Sequence, residues 1–266
     1  MKRWLRIVVL VVAFLLVYAA SLAATLPADV AWHLAGDRVP ARAYGLHGNL
    51  WTGGAEAVTV RGHRVDGLTW QLHPAALLTG KAHLSAKART PDGELSGDVT
   101  LSASRAVTVS DARGNIDVDT LLAWIRRTGL AAFADGRVDA VVRSLRLENR
   151  QLVSADGLVT WQNARVRLGD EHALGNLALR LTPHEGGGVR GELRGDGGPL
   201  ALGGTVTLTP DGDFEARLTV QPREEAATAG RRLARTLGLA NPEGTTVVEA
   251  SGNVSGQGLR LTQRPG

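Results

Sequence analysis

Apolar side chains recur at every second position through most of this chain, and that period restricts it to a fold built from strands with one buried face. The alternation begins with Val58 and Val60 and continues through Leu84, Ala86 and Ala88, then Val99, Leu101 and Ala103, then Val107 and Val109, with Ile116 and Val118 after them. It resumes at Val138, Ala140 and Val142, running toward Leu145 and Leu147. Ala164, Val166 and Leu168 follow Trp161. Leu177, Leu179 and Leu181 alternate without a fault, and Val206 and Leu208 precede Phe214, Ala216, Leu218 and Val220. Between these runs stand the pairs Asp92-Gly93, Asp156-Gly157 and Asp211-Gly212, which read as tight hairpin turns. The 33 glycines are thereby assigned to hairpins, with no need of a flexible linker.

Three segments break the rhythm. Residues 119–134 place Leu121, Leu122, Ile125 and Leu130 at helical spacing with Asp119 as the cap, and residues 224–239 read as a second amphipathic helix, acidic at its start and basic toward its end. A shorter turn of helix is expected over 74–78. The two longer helices are assigned to covering a face or an end of the sheet, because an exposed apolar sheet face must be buried by something.

The other strong feature is an apolar run at residues 7–26, preceded by Lys2, Arg3 and Arg6. Twenty helical residues rise about 30 Å, the thickness of a bilayer core. The positive flank predicts a cytoplasmic tail at 1–6, a transmembrane signal-anchor helix at 7–26 and a β-rich domain at 27–266 on the far side of the membrane. The competing reading is a cleaved signal peptide, since Ser21-Leu22-Ala23 ahead of Ala24 resembles a cleavage site, although the run is long for one.

An internal duplication is visible: Gly67-Leu68-Thr69-Trp70-Gln71-Leu72 resembles Gly157-Leu158-Val159-Thr160-Trp161-Gln162. It predicts two related hairpin runs, about 45–118 and 137–222, with Trp70 and Trp161 in equivalent places. The expected fold is therefore mainly β: one N-terminal transmembrane helix, then a curved antiparallel sheet domain with two related hairpin runs and two amphipathic helices.

Chemistry is hard to place on this sequence. With no cysteine, thiolate catalysis, Cys-ligated zinc and disulfides are excluded together. The histidines His33, His47, His63, His73, His83, His172 and His184 include no zinc-protease pair, and the even spacing of His63, His73 and His83 does not make three ligands converge on strands. No Gly-x-Ser-x-Gly elbow occurs. The Gly186-Gly187-Gly188 cluster lacks a following helix to present amides to a phosphate and reads as a loose hairpin loop. Asp117 with Asp119, or Asp135 with Asp139, could face a cleft as a carboxylate pair for glycoside hydrolysis, but acidic residues beside turns and caps are common. The formal charge of +4 comes largely from the N-terminal flank, and the remaining cations alternate with acids rather than forming a nucleic-acid-binding stripe. The expectation is a protein that is not an enzyme, with no cofactor and no metal.

Several segments in order resemble protein N of the bacterial type II secretion system. They are Gly48-Asn49-Leu50-Trp51-Thr52-Gly53-Gly54, then Gly67 through Pro74 with its Trp70-Gln71-Leu72-His73-Pro74 element, then GLVTWQNA at 157–164. Gly197-Gly198-Pro199-Leu200, Asp211-Gly212 and Pro222-Arg223 follow. The first element is the most loosely kept. The resemblance implies an accessory or assembly component in the bacterial inner membrane, single-pass with its N-terminus cytoplasmic and its β-rich bulk periplasmic, partnered by other secretion proteins. The chain is also similar, more distantly, to AsmA-like periplasmic proteins whose sheets curl into lipid-accommodating grooves. That likeness implies the alternative function, lipid binding or transfer. Partner-binding residues are expected at Trp51 with Gly48 and Gly53, and at Trp70 and Trp161. Strand addition at a sheet edge is the expected docking mode.

Overall fold

The computed structural model describes residues 25–35, 41–60, 63–124, 134–149, 151–168, 170–254 and 260–266. The chain divides into two compact units, Met1–Arg89 and Thr90–Gly266. Both are built on antiparallel strands, as the alternation requires.

The first described element is helix α1 (Ala28–Ala35), just past the end of the apolar run at Leu26, where no helix was expected. Strands β1 (Ala41–Tyr44), β2 (His47–Gly48), β3 (Thr52–Val60) and β4 (His63–His73) follow, then the single helical turn α2 (Pro74–Leu77) expected there, then β5 (Lys81–Thr90). β3 lies between β1 and β4, β4 pairs with β5, and short β2 pairs with the start of β3.

The second unit is a meander. It runs through β6 (Gly93–Ser102), β7 (Val107–Asp117), β8 (Ala134–Glu148), β9 (Gln151–Leu168), β10 (Asp170–Pro183), β11 (Val189–Asp196), β12 (Leu200–Leu208), β13 (Asp213–Pro222), β14 (Thr246–Asn253) and β15 (Arg260–Pro265). Each pairs antiparallel with the next. Helix α3 (Val118–Trp124) lies between β7 and β8, and α4 (Ala227–Thr236) lies between β13 and β14.

Some expectations are corrected. Asp156-Gly157 is no turn: both residues lie inside β9, an 18-residue strand. A Cβ on Gly157 would sit 2.6 Å from the Val141 carbonyl oxygen, and the β8–β9 register shifts between Val142 and Ser144, beside that glycine. The glycine marks a close strand approach at a bulge. Asp211-Gly212 is a turn, with Gly212 at φ +88°. Gly186, Gly187 and Gly188 form the expected hairpin loop, all at positive φ. Asp119 does not cap α3, because the helix already begins at Val118; its carboxylate accepts the adjacent Thr120 N–H. Ala134, expected at the end of that helix, instead opens β8 opposite Val166. Residues 125–133 lie outside the described residues.

Helix α4 ends by a clear device. Gly238 adopts φ +67°, the Leu239 N–H reaches the Ala234 carbonyl and the Gly238 N–H reaches that of Arg235, so the terminal carbonyls keep partners. Leu233 and Ala234, at 1% and 0% exposure, press onto Leu200 and Val220, with Leu239 folded against the same cluster. Helix α3 lays Leu121 and Leu122 on the cluster of Ile116, Val118 and Val138, against which Trp161 also packs. Both helices cover the sheet, as expected.

The predicted membrane helix at 7–26 lies, but for Thr25 and Leu26, outside the described residues. Among the described residues no helix is long and apolar enough to cross a membrane.

Candidate partner-binding site

The residues 48–54 fold into a turn held by its own polar groups. The Asn49 side-chain oxygen accepts the N–H groups of Trp51 at 3.0 Å and Thr52 at 2.8 Å, and the Asn49 N–H donates to the Thr52 carbonyl at 2.9 Å. An Asn in this place closes the turn because its short amide reaches the backbone two and three residues on. Gly48, at φ +82°, pairs with Gly53 across β2 and β3.

Two outside ties fix the turn. The Leu50 N–H donates to the Leu26 carbonyl at 2.9 Å, and Asn49 forms an isolated bridge with Pro27. On the other side, the Leu72 N–H donates to the Trp51 carbonyl at 2.6 Å, and the Trp70 indole N–H donates to the Leu50 carbonyl at 3.2 Å. Gly53 lies directly opposite Trp70 in the β3–β4 ladder, and a Cβ on it would stand 2.6 Å from the Trp70 ring. Gly48, Trp51, Gly53 and Trp70 therefore come together in one place. Trp51 and Trp70 are both half-buried. The two flanking glycines have local packing reasons to be glycine, so their presence is not by itself a sign of a partner.

Trp161 is not part of this cluster; it belongs to the second unit. Its indole N–H donates to the Asp135 carbonyl at 3.0 Å, and Gly136 lies beneath the ring, where a Cβ would come within 2.7 Å of the indole nitrogen. It is the same device as at Trp70.

A second candidate surface is signalled in the sequence by the alternation itself. Across the second unit the paired positions Leu95, Gly114, Ala140, Val159, Leu179, Leu193, Gly204, Leu218 and Val248 form one row. Ala112, Val142, Gly157, Leu181, Gly191, Val206, Ala216, Ala250 and Leu261 form the next, on the same face. Glycines in these rows leave room for larger neighbours: a Cβ on Gly191 would lie 2.7 Å from Val206 and 3.0 Å from Leu179. Helices α3 and α4 cover part of this face, and between them its large side chains stay half-buried.

The opposite face is polar and carries ion pairs. Arg143 grips Asp156 through Nε at 2.8 Å and Nη2 at 2.5 Å, and Glu249 pairs with both Arg217 and Arg264. The hydrogen bonds from Arg143 hold the Asp156 carboxyl below the usual carboxylate range, and the same pair raises Arg143. Val141 and Leu158, directly opposed, are exposed apolar side chains on this face.

Of the evenly spaced histidines, His73 and His83 do meet, as cross-strand partners with ring centroids 4.8 Å apart. Among the described residues no three His, Asp or Glu side chains are grouped to hold a metal. A cleft of about 710 Å³ lies between the start of β10, the β11–β12 loop and α4, with Asp170, Glu171, Asp196 and Glu225 set against His172, Arg223 and Arg232. Its charges are mixed, and Arg223 Nη2 is already engaged by the Gly195 carbonyl at 2.8 Å.

The family model for type II secretion system (T2SS), protein N matches residues 40–249, and so takes in the 48–54 turn, both tryptophan devices and most of the meander. The chain belongs to that family. No curated protein and no solved structure matches it. Membership of the protein N family gives the chain a role in type II secretion and, with it, interaction with other components of that system.

Proposed function

We propose that this protein N family member is an accessory and assembly component of the secretion machine. In this reading residues 7–26 hold it in the bacterial inner membrane with residues 1–6 in the cytoplasm, and its β-rich part works in the periplasm. It performs no catalysis; it positions partners. The carrying observation is the tie of the 48–54 turn to Leu26 and Pro27, where the apolar run ends. A turn pinned there presents Trp51 at a fixed place just beyond the membrane, which suits a docking point for another membrane-bound component.

The test is crosslinking in intact cells from a photoreactive residue at position 51. Capture of a secretion component is expected. Capture of phospholipid alone counts against the docking role, and a mature chain beginning near Ala24 and behaving as a free soluble species ends the tethered account.

A second reading, lipid binding or transfer, is favoured by the two half-buried apolar rows of the second unit, since a continuous apolar surface of this kind suits acyl chains. Lipid recovered with the purified protein and lost in Leu193→Glu, which charges the middle of one row, is the expected result. Equal lipid recovery with Leu193→Glu and the unaltered chain removes this reading.

A further inference from the structure

The tip joining β4 to β5 carries an anomaly that the docking turn does not explain. Leu78 is 90% exposed and Leu77 46% exposed, the former the most exposed large apolar side chain among the described residues. Leaving leucines in water is unfavourable, and the tip has no need to do so in order to turn.

Three of its backbone N–H groups are already paired from within. The N–H groups of Leu78, Thr79 and Gly80 donate to the carbonyls of Ala75, Ala76 and Leu77 at 3.3, 3.0 and 3.0 Å, and the Thr79 hydroxyl donates to the Ala76 carbonyl at 2.8 Å. Donors paired in this way lower the cost of moving the tip out of water. The charge around it is one-sided. From Gly67 through Pro91 the sequence has no Asp or Glu, while Lys81, Lys87 and Arg89 occupy exposed positions on one face of β5. Acids and bases are close to balanced in the chain as a whole, at 26 and 30, so the acid-free stretch 67–91 stands apart.

We infer that the Leu77–Leu78 tip is a lipid-interface contact. The two leucines enter the headgroup boundary of an anionic bilayer, Lys81 sits at the level of the phosphates, and the acid-free stem approaches without repulsion. This rests on the membrane-tethered reading above and adds a second contact point that orients the first unit against the bilayer.

The chain has no cysteine, so Leu78→Cys offers a unique labelling site, and its exposure makes a folding defect from the change unexpected. The full chain carrying an environment-sensitive fluorophore there is reconstituted into phosphatidylethanolamine–phosphatidylglycerol vesicles containing a lipid-borne quencher. Glu215→Cys, on the polar face of β13, is the control. Quenching at position 78 is expected to exceed that at 215 by at least threefold, and to fall by at least half when Lys81→Glu is added. Flotation with the vesicles but equal quenching at both positions overturns the lipid contact and leaves the tether standing. Shielding of position 78 only on addition of another secretion protein also overturns it. Failure to float with the vesicles removes the tether and this contact together.

Discussion

The Trp70 indole N–H donates to the carbonyl of Leu50, three residues before Gly53, the residue paired with Trp70; the Trp161 indole N–H donates to Asp135, three residues before Val138, the residue paired with Trp161. The repeated sequence element thus carries a repeated structural bond. In each case a glycine of the preceding strand lies under the ring, so the indole pins one strand end to its neighbour.

Removing only that bond gives a direct test. Trp161→Phe keeps most of the apolar area and loses the N–H, so unfolding in urea should become easier by about 1 kcal/mol. Trp70→Phe should cost a similar amount and also speed hydrogen exchange at the Leu72 amide, which closes the 48–54 turn. Unchanged urea midpoints in both variants would show that the indole bonds contribute nothing.

Gly136 adopts φ +120°, and a Cβ there would lie 2.6 Å from the Gln162 carbonyl oxygen as well as against the Trp161 ring. Gly136→Ala is therefore expected to destabilise the second unit by about 2 kcal/mol or more, from backbone strain and displacement of the indole. Calorimetry reads this as a lowered melting temperature.

Leu233 anchors α4 on the sheet at 1% exposure. Leu233→Ala removes most of that contact and leaves a cavity, for an expected loss of about 3 kcal/mol. Exposed Leu237, the residue just past α4, at 38% exposure, should tolerate the same change with a much smaller shift in the urea midpoint.

Asp156 has its carboxyl pKa lowered by the hydrogen bonds from Arg143. A carboxyl whose folded value is depressed stabilises the fold above its unfolded value, and that contribution is lost as pH falls through the folded value. NMR titration should place Asp156 below an ordinary aspartate. In Arg143→Gln its midpoint should rise, and the acid dependence of stability between about pH 5 and pH 1 should flatten.

Several breaks in the alternation have a common structural cause. Apolar positions change parity between Val109 and Ala112, between Val142 and Leu145, and between Trp161 and Ala164. At each break the strand carries an extra residue relative to a neighbour: Asp111 at φ +49° in β7, Arg143 in β8, Asn163 at φ +49° in β9. Each extra residue turns the following side chains back to the apolar face. Asp156-Gly157 read as a turn on its residue types alone, whereas the extra residue that accommodates it is Arg143 on the neighbouring strand, which no local pattern shows.

The site was legible in part for the same reason. Trp51, Gly48, Gly53 and Trp70 stood out as residues, and the repeat already linked Trp70 with Trp161. That the first four converge while Trp161 belongs to another unit depends on which strand lies beside which, and no local pattern states that. The exposed Leu77 and Leu78 gave no signal either, because a leucine pair after a proline reads equally well as buried.

Alternation, turn residues and two amphipathic segments by themselves determined that this chain makes antiparallel strands with helices laid on them, since period and amphipathicity are local properties of the backbone. Register, bulge placement, the pinning of the 48–54 turn to Leu26 and the exposure of the β4–β5 tip were decided only by tertiary structure. Each depends on contacts between residues far apart in sequence, whose closeness is set by how the strands assemble.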